Sequence, residues 1–600
     1  MSFLLTKCCL GSLPAHTELS TRTRHHISRN GYDLIVGGNS QLAELQNDPI
    51  SGENGVPFWL VLSGYLNISD SYNPQEDNAQ AYRLASLLRG RGFFSRLNAL
   101  TGNFTILLVA PCREWCAVVR DDVGGRTSFF AKRGKKLAVS DSCFTIAALP
   151  FFQKVENPAF MANLFAYRIA TPLGESPFLG INELLPGECI KFSGDEIKRE
   201  RRQFDFEVGR RIRSSRYWVK RFAERFSNAV EGILPAAANP CVMLSGGLDS
   251  APSAAVAAAR LRKRGSPLTA ISWSLKDFPG CDEQEYIREI ASWLNIELIE
   301  FEGSEYAPFR HLDDRLVQVE TPYFNPYREL VLAVYETASR GGHDVILNGN
   351  AGDLLYPNSN LALADMMRRA QFVRAFDYLK YGIKKYGVRH LPQWSPVRIL
   401  ARLILKGRDC RPTAPPSWLT MQAREFLPAN NVPVETNRHW CPSYARKLIG
   451  NMLSTGTAYE NLVSEQYGLC RRDPFVNRDL VRLFLEMPFA VSVRPPRLKW
   501  IMREYLAKRK LLPPRIIEKD RTGLLTPFYD AGLYQNLDQV KELLNDDRSW
   551  ADWLDPAIVE RSYDASTSSD MDRALVGVAV GYCLWRRKIS TASAEIRLGP

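Results

Sequence analysis

In the first third of the chain, short apolar runs alternate with turn residues. Four runs have strand-like composition: Trp59 to Leu62, Phe104 to Ala110, Cys116 to Val119 and Lys136 to Val139. One helical stretch, Asn78 to Leu88, interrupts them. Short strands joined by tight turns pair most simply with their neighbours in sequence, which gives antiparallel sheets. We therefore expect an α+β unit that ends near residue 200.

The pattern changes beyond Pro240, where strand-like and helical segments alternate. This alternation predicts a parallel, doubly wound sheet with helices on both faces. The remainder, from about residue 360, is mostly helical, with proline breaks at 412–416 and 513–514. The strand-like runs are Cys241 to Leu244, Leu268 to Ser274, Ile296 to Phe301 and Asp344 to Leu347, and the helical runs are Ala251 to Lys263, Glu283 to Leu294 and Arg328 to Ser339.

Length and charge narrow the classes of protein. A chain of 600 residues with 45% hydrophobic and 24% charged residues predicts two or more folded domains, not a disordered chain. Lysine and arginine number 77 against 65 acidic residues, and seven of the twelve excess charges lie between Lys198 and Arg221. Because this stretch lacks the repeated alternation of aromatic and basic residues that is typical of a nucleic-acid-binding module, it favours a basic linker over a nucleic-acid-binding surface.

The cysteine pattern and the terminal segments argue against a zinc site, a secretory signal and a membrane-spanning helix. Neither close cysteine pair, Cys8 with Cys9 or Cys112 with Cys116, has the further ligands that a zinc site needs. His25 and His26 lie in a polar arm that we expect at the surface. No charged residue precedes the short apolar run at the N-terminus, and Ala574 to Trp585 is too short to cross a bilayer. We expect a soluble, cytoplasmic protein with no membrane contact.

The clearest chemical signal is the segment 241–252, CVMLSGGLDSAP, in which an apolar strand meets two glycines and then a helix. Gly246 and Gly247 allow the backbone N–H groups to face a ligand, and the helix start adds partial positive charge. Ser245 and Ser250 offer hydroxyls to phosphate oxygens. The P-loop lysine is missing, so transfer of the γ-phosphate by that route is not expected.

Two carboxylates predict a magnesium nucleotide at this site. The Asp249 carboxylate would repel a phosphate bound in the cradle unless a cation lay between them. This predicts Mg²⁺ bound to a polyphosphate. A second loop, Asn348 to Asp353, also follows a strand and also ends in a carboxylate. Ligands bind where strand order reverses in doubly wound sheets. If the two strands are neighbours there, Asp249 and Asp353 face the same metal nucleotide.

The sequence SGGLDS, followed by a strand and G-x-x-x-D, resembles the ATP-pyrophosphatase half of the asparagine synthetase family. Arg472 to Phe475 is similar to the R-x-P-F segment of that family, and Leu512 to Arg521 is similar to its L-P-x-x-I segment. Segments 100–107, 118–125 and 184–188 are similar to the glutaminase-like N-terminal domain. The resemblance implies an α+β, Ntn-type sandwich domain over 1–205. It also implies an α/β doubly wound ATP-pyrophosphatase domain, with a helical C-terminal part, over 206–600.

Two departures from the family suggest where the amine comes from. Ser2 stands where glutamine-dependent members carry a nucleophilic cysteine, and Ser63 to Tyr65 stand where their glutamine pocket has Asn-Gly-Glu. Without released ammonia, the substrate itself is the simplest source of the amine. This is the chemistry of β-lactam synthetases and of lasso-peptide macrolactam synthetases, and the latter are the closer resemblance. The alternative is an asparagine synthetase-like or β-lactam synthetase-like enzyme that acts on a small substrate.

The resemblance also implies roles for single residues. Leu244, Trp273 and Gly349 align with positions that flank the adenosine. Lys519 and Arg521 align with two basic active-site positions, in exchanged order, so which of the two is catalytic stays open. Asn350 stands where relatives carry Glu or Tyr, and an amide cannot serve as a general base.

The expected reaction is ATP-dependent closure of a macrolactam in a linear core peptide, with ATP and Mg²⁺ as cofactors. A leader peptidase is the implied partner, and no nucleic acid is expected. We expect residues 360–470 to line a large cavity around the nucleotide. A tRNA-modifying pyrophosphatase and a non-catalytic scaffold are the competing classes. The glutaminase-like front half argues against the tRNA-modifying class.

Overall fold

The computed structural model describes most of the chain, and structural statements below concern only this part. The described residues are 3–7, 23–37, 40–47, 54–66, 79–88, 96–97, 99–152, 154–168, 174–201, 214–234, 239–356, 366, 370–386, 415–427, 454–488, 491, 499–519 and 524–597.

The front part of the chain folds into two antiparallel sheets of six strands each. The first sheet has the order β10-β8-β9-β1-β3-β2, and the second has the order β12-β11-β7-β6-β5-β4. The strands are β1 (Phe3–Lys7), β2 (Thr23–Arg29), β3 (Tyr32–Gly37), β4 (Gln41–Asn47), β5 (Asn54–Leu66), β6 (Gly102–Ala110), β7 (Trp115–Arg120), β8 (Phe129–Arg133), β9 (Lys136–Ser140), β10 (Asn182–Glu183), β11 (Glu188–Ser193) and β12 (Glu196–Arg201).

The two sheets form a sandwich because each turns an apolar face toward the other. Leu5 and Val139 of the first sheet share a buried cluster with Trp59, Leu107 and Val118 of the second. Helices pack on the outer faces and bury a further apolar cluster on each sheet, although the edge strand β12 stays exposed. These helices are α1 (Ala79–Leu88) on the second sheet, and α2 (Cys143–Ala147) and α3 (Pro158–Tyr167) on the first.

A parallel sheet of five strands follows, with the order β15-β14-β13-β16-β17. The strand order reverses between β13 and β16, which makes their carboxyl ends the expected ligand site. The strands are β13 (Pro240–Met243), β14 (Thr269–Ser274), β15 (Glu297–Glu302), β16 (Val345–Leu347) and β17 (Cys470–Arg472), and the helices up to β16 are α4 (Ser215–Gly232), α5 (Ser250–Lys263), α6 (Gln284–Leu294) and α7 (Arg328–Arg340).

The rest of the described chain is helical apart from β17. Its C-terminal helices pack on the front sandwich, where Trp553, Leu575 and Trp585 share one buried cluster with Phe129 and Phe160. The helices are α8 (Gly352–Leu355), α9 (Phe372–Tyr386), α10 (Met421–Glu425), α11 (Ser454–Gln466), α12 (Arg478–Glu486), α13 (Trp500–Arg509), α14 (Pro514–Glu518), α15 (Thr526–Gln535), α16 (Leu537–Asp546), α17 (Pro556–Ser562) and α18 (Asp570–Arg597). Among the described helices, none has the length and apolar character to span a membrane.

The predicted alternation of strand and helix beyond Pro240 is present, with boundaries within one residue or two of those expected. The basic stretch from Lys198 to Arg221 is not simply a linker, because its first residues lie in β12 and its last in α4. The polar arm around His25 is the edge strand β2. The proposed domain division at 205/206 and much of the predicted cavity lining at 360–470 lie outside the described residues.

Candidate functional site

Two glycine-containing loops meet at the carboxyl ends of β13 and β16, which pair directly in parallel. The first loop, 244–249, leads from β13 to α5, and the second, 348–351, leads from β16 to α8. A Cβ atom on Gly349 would lie 2.4 Å from the Ser250 nitrogen and 2.5 Å from the Asp249 carbonyl carbon. The two loops therefore touch through backbone, and only glycine permits this approach.

The serine hydroxyls shape the first loop. Ser250 Oγ accepts the Ser245 N–H at 2.9 Å and lies 2.9 Å from the Ser245 hydroxyl. The Gly247 N–H donates to Ser245 Oγ at 3.4 Å. These bonds fold the loop back over the first turn of α5, where amide groups and the helix dipole favour an anion.

The structure brings Asp249 and Asp353 together and places a cation between them. Lys499 Nζ donates to Asp249 Oδ2 at 2.6 Å and lies 2.6 Å from Asp353 Oδ1. Burial of the Asp249 carboxyl raises its pKa to about 6, although Lys499 acts in the opposite direction and Asp353 adds to the rise. The lysine thus offsets two acidic charges that would otherwise repel each other at short range.

Sequence reasoning did not identify Lys499. It immediately precedes α13 and adopts a left-handed backbone conformation with φ of 55°. Its local sequence shows no glycine turn, metal-ligand spacing or strand end, and the position lies 250 residues from Asp249. Nothing in the local pattern therefore indicates that it reaches the loops.

The two carboxylates fit a magnesium nucleotide. Asp249 Oδ1 is buried and has no hydrogen-bond partner in the described structure, which leaves an oxygen for a cation. A Cβ on Gly352 would lie 2.3 Å from that same oxygen, so a glycine at the start of α8 lets the backbone there pack closely against the Asp249 carboxylate. The described residues contain no cluster of three or more His, Cys, Asp or Glu side chains suited to a metal. Mg²⁺ commonly keeps waters and phosphate oxygens beside one or two carboxylates, so two are sufficient here.

Lys519 reaches the same cradle from the other side. Its Nζ donates to Glu283 Oε1 at 2.7 Å and to the Gly246 carbonyl at 3.3 Å, and it lies 3.8 Å from the centre of the Tyr286 ring. Lys519 therefore lies beside the first glycine loop, and its catalytic role stays a prediction, whereas Arg521 lies outside the described residues. Sequence reasoning missed Glu283, because an acidic residue just before a helix is typical of ordinary helix starts.

The other predicted residues occupy different parts of the site. Leu244 is buried, and its carbonyl accepts the Ser272 hydroxyl at 2.7 Å. Trp273 is half-buried and packs against two apolar clusters, so its stacking on a base stays a prediction. Asn350 is exposed, and its N–H donates to Asn348 Oδ1 at 2.9 Å.

The front sandwich contacts the second half of the chain through Tyr65. This residue is buried, and its hydroxyl accepts a hydrogen bond from Asn103 Nδ2 at 3.0 Å. The Arg472 guanidinium lies over its ring. Burial raises the Tyr65 pKa strongly, so the hydroxyl stays neutral. Ser2, Cys8 and Cys9 lie outside the described residues.

Comparison with known families gives one match. The family described as asparagine synthase matches residues 221–587, which is more than half of the chain and includes the two glycine loops, Lys499 and Lys519. The match therefore contains every described residue that the geometry gathers around the cradle.

Individual relatives are distant. An enzyme named amidase chyE from Penicillium rubens is 22% identical over 373 residues, which cover 59% of this chain and 53% of the relative. Asparagine synthetase [glutamine-hydrolyzing] 3 from Bacillus subtilis is 27% identical over 174 residues, covering 29% of this chain and 28% of the relative. The chain thus spans about half the length of the first relative and just over a quarter of the second.

Two solved structures also align. Glutamine phosphoribosylpyrophosphate amidotransferase from B. subtilis, complexed with ADP and GMP, gives a TM-score of 0.20 at 12% identity, covering 54% of this chain and 77% of that one. A structure described as the allosteric regulatory enzyme of purine biosynthesis gives 0.21 at 14% identity, covering 53% and 76%. At these TM-scores the alignments support no conclusion about this chain.

Proposed function

Because the chain belongs to the asparagine synthase family, we propose that it is an ATP-dependent amide ligase that forms AMP. One observation carries this proposal. Asp249 and Asp353 meet across Lys499 beside a glycine-rich cradle at the strand-order reversal of a parallel sheet. This is where a polyphosphate and its metal would bind, with the α-phosphorus exposed to a second substrate.

The proposed chemistry has two steps. A substrate carboxylate oxygen attacks the α-phosphorus of ATP, the bond to the β-phosphate oxygen breaks, and pyrophosphate leaves with the electron pair. An amine then attacks the acyl carbon of the acyl-adenylate, AMP leaves, and the amine loses one proton. Overall, one carboxylate and one amine become one amide, and one ATP becomes AMP and pyrophosphate.

Each residue at the cradle has a role in this scheme. The Ser245, Gly247 and Ser250 groups bind phosphate oxygens, whereas Gly246 forms the turn and its N–H donates to Glu283. Asp249 with Asp353 would hold Mg²⁺. When bound, the metal neutralises phosphate charge and orients the pyrophosphate for departure. Lys519 offers a fixed positive charge where negative charge develops, which can contribute several kcal/mol of selective stabilisation.

The finer part of the proposal concerns the source of the amine. Tyr65, whose side chain is buried, stands by resemblance where the family's glutamine pocket has an acidic residue. A tyrosine at that position supports an amine supplied by the substrate. We propose a linear peptide that closes an isopeptide bond between an Asp or Glu side chain and its own N-terminal amine. A leader peptidase of the same pathway would supply the free amine.

The experiment incubates the full chain with ATP, Mg²⁺ and synthetic linear peptides that carry a free N-terminus and an internal Asp or Glu. The expected result is AMP formation together with a peptide product lighter by one water. N-acetylated peptides should give no cyclic product, and Asp249→Asn should remove AMP formation while the thermal midpoint stays near that of the wild type.

Other outcomes would replace parts of this proposal. Turnover with free aspartate and ammonia, or with a small amino acid and no peptide, would favour the small-substrate alternative. ADP and orthophosphate as the only nucleotide products would contradict attack at the α-phosphorus altogether.

A further inference from the structure

The residue before helix α6 places a carboxylate against the glycine turn. Glu283 Oε2 accepts the Gly246 N–H at 3.1 Å, and Glu283 Oε1 accepts a hydrogen bond from Lys519 Nζ at 2.7 Å. One side chain therefore ties the backbone of the cradle to the cation that lies beside it. Charge-assisted hydrogen bonds of this kind are stronger than neutral ones.

Glu283 and the aromatic ring of Tyr286 together hold the Lys519 ammonium, and we call these two residues the clamp. Tyr286 lies three residues after Glu283, close to one helical turn, and its ring centre is 3.8 Å from Lys519 Nζ. The ring face attracts the ammonium, and the carboxylate fixes its direction. The lysine backbone is held as well, because Arg503 Nη2 donates to the Lys519 carbonyl at 2.8 Å.

The clamp is tightly packed. The side chains of Lys519 and Glu283 are only 11% and 15% exposed. A Cβ on Gly246 would lie 3.0 Å from Tyr286 Cβ, 3.1 Å from Glu283 Cβ and 3.2 Å from Lys519 Nζ. A free lysine carries four rotatable bonds and loses conformational entropy when a substrate orders it. Here the protein has ordered it before any substrate arrives.

We infer that Glu283, with Tyr286, is a positioning residue that presents the Lys519 ammonium to the reacting phosphate. A carboxylate would repel a polyphosphate, so Glu283 acts through the lysine and not by direct contact with the nucleotide. This inference rests on the proposed function, because it concerns the same site and step. It also assigns the fixed cation of that step to Lys519.

The expected kinetic effect separates positioning from binding. Glu283→Gln keeps an acceptor oxygen of similar size but removes the charge that orients the ammonium. AMP formation should slow by roughly 10- to 100-fold, because small misplacement of a catalytic group has effects of that size. The dissociation constant for ATP with Mg²⁺, measured by equilibrium dialysis, should change less than about threefold.

A double-mutant cycle tests whether Glu283 works through Lys519. If it does, Glu283→Gln combined with Lys519→Ala should be no slower than Lys519→Ala alone. The matched control is Glu336→Gln on α7, where an exposed carboxylate pairs with Arg340 on the same helix. This control should retain the wild-type rate.

A readout without turnover separates this inference from the proposed function. In nucleotide-free protein, acylation of the Lys519 amine by an N-hydroxysuccinimide ester, followed by mass spectrometry, should be several-fold faster in Glu283→Gln than in Glu336→Gln. If the wild type forms no AMP but this labelling contrast is present, the proposed function fails and the clamp stands.

Three results would overturn the inference: equal Lys519 labelling in both variants, additive rate losses in the cycle, or a tenfold loss of ATP affinity with an unchanged rate. If Glu283→Gln does not fold, Tyr286→Leu gives the same tests. It removes the ring beneath the ammonium and leaves the carboxylate in place, so faster Lys519 labelling and slower AMP formation are again expected.

Discussion

The Arg472 guanidinium carbon lies 4.4 Å from the centre of the Tyr65 ring, so a residue of the parallel sheet stacks on a residue of the front sandwich. The Arg472 carbonyl also accepts the Asn348 N–H at 3.2 Å, at the start of the second glycine loop. A short chain of contacts thus runs from the front sandwich to the loop that leads into α8, the helix that contains Asp353. Through these contacts the front sandwich can stabilise the position of the second glycine loop.

Substitution of Tyr65 tests this support. Tyr65→Leu removes both the stacking ring and the acceptor for Asn103, and we expect a loss of about 2–4 kcal/mol in stability. Tyr65→Phe keeps the ring and should lose only about 1 kcal/mol. Chemical denaturation and ATP binding of both variants check this. Equal effects of Leu and Phe would show that the ring contact contributes little, and the surface variant Tyr82→Leu on α1 serves as control.

The position of Lys499 between two carboxylates predicts that its removal raises the affinity of the site for a divalent metal. Its ammonium shares the space between Asp249 and Asp353, so Lys499→Met leaves two carboxylates with no internal cation between them. We expect nucleotide-free Lys499→Met to bind Mn²⁺, used as a probe, at least about tenfold more tightly than the wild type. Electron paramagnetic resonance titration measures this affinity. Unchanged Mn²⁺ affinity would contradict the arrangement, and the exposed helix variant Lys508→Met should match the wild type.

The local sequence pattern was sufficient to predict the two glycine loops. Gly246 and Gly349 each follow an apolar strand, and the strand-order rule places such loops together at the edge of a parallel sheet. The contact between Gly349 and the backbone of Ser250 is a consequence of that topology. Glycine loops that directly follow apolar strands can therefore be predicted from the sequence.

The side chains that complete the site were not accessible in this way. Lys499 and Glu283 reach Asp249 and Lys519 from segments more than 200 residues distant, and only tertiary packing brings them together. The edge strand β12 was missed for a different reason. All six of its residues are exposed, so it has no apolar alternation for a periodicity argument to detect.

Asp121 predicts a pH dependence of stability in the front sandwich. Burial raises the pKa of its carboxyl to about 6, against the opposing effects of Arg120 and the amides of Gly125 and Val123. The folded state then keeps a proton that the unfolded chain releases near pH 4, so this stabilising contribution is present below pH 4 and is lost as pH rises to 6. The effect is at most about 3 kcal/mol.

The measurement compares the thermal midpoints of Asp121→Asn and the wild type between pH 4.5 and 7. Relative to the wild type, the variant should become more stable as pH rises, because it has no buried charge to form. A pH-independent difference would contradict the raised pKa. Asp195→Asn, at an exposed hairpin turn, is the control and should give a constant difference.

Because the two glycine loops touch through backbone, a single methyl group added at Gly349 should change both stability and activity. In Gly349→Ala the new Cβ would meet the Ser250 nitrogen at 2.4 Å, and because backbone atoms cannot rotate away, one loop must shift. We expect a loss of about 1–3 kcal/mol in stability and loss of AMP formation, since Asp353 moves with its loop. Gly280→Ala is the matched control, because its Cβ meets nothing within 4 Å, and it should change stability by less than about 0.5 kcal/mol. Thermal unfolding and the AMP assay measure both variants. An active, stable Gly349→Ala would mean that the loops do not touch in solution, and the shared metal position of Asp249 and Asp353 would then lose its structural basis.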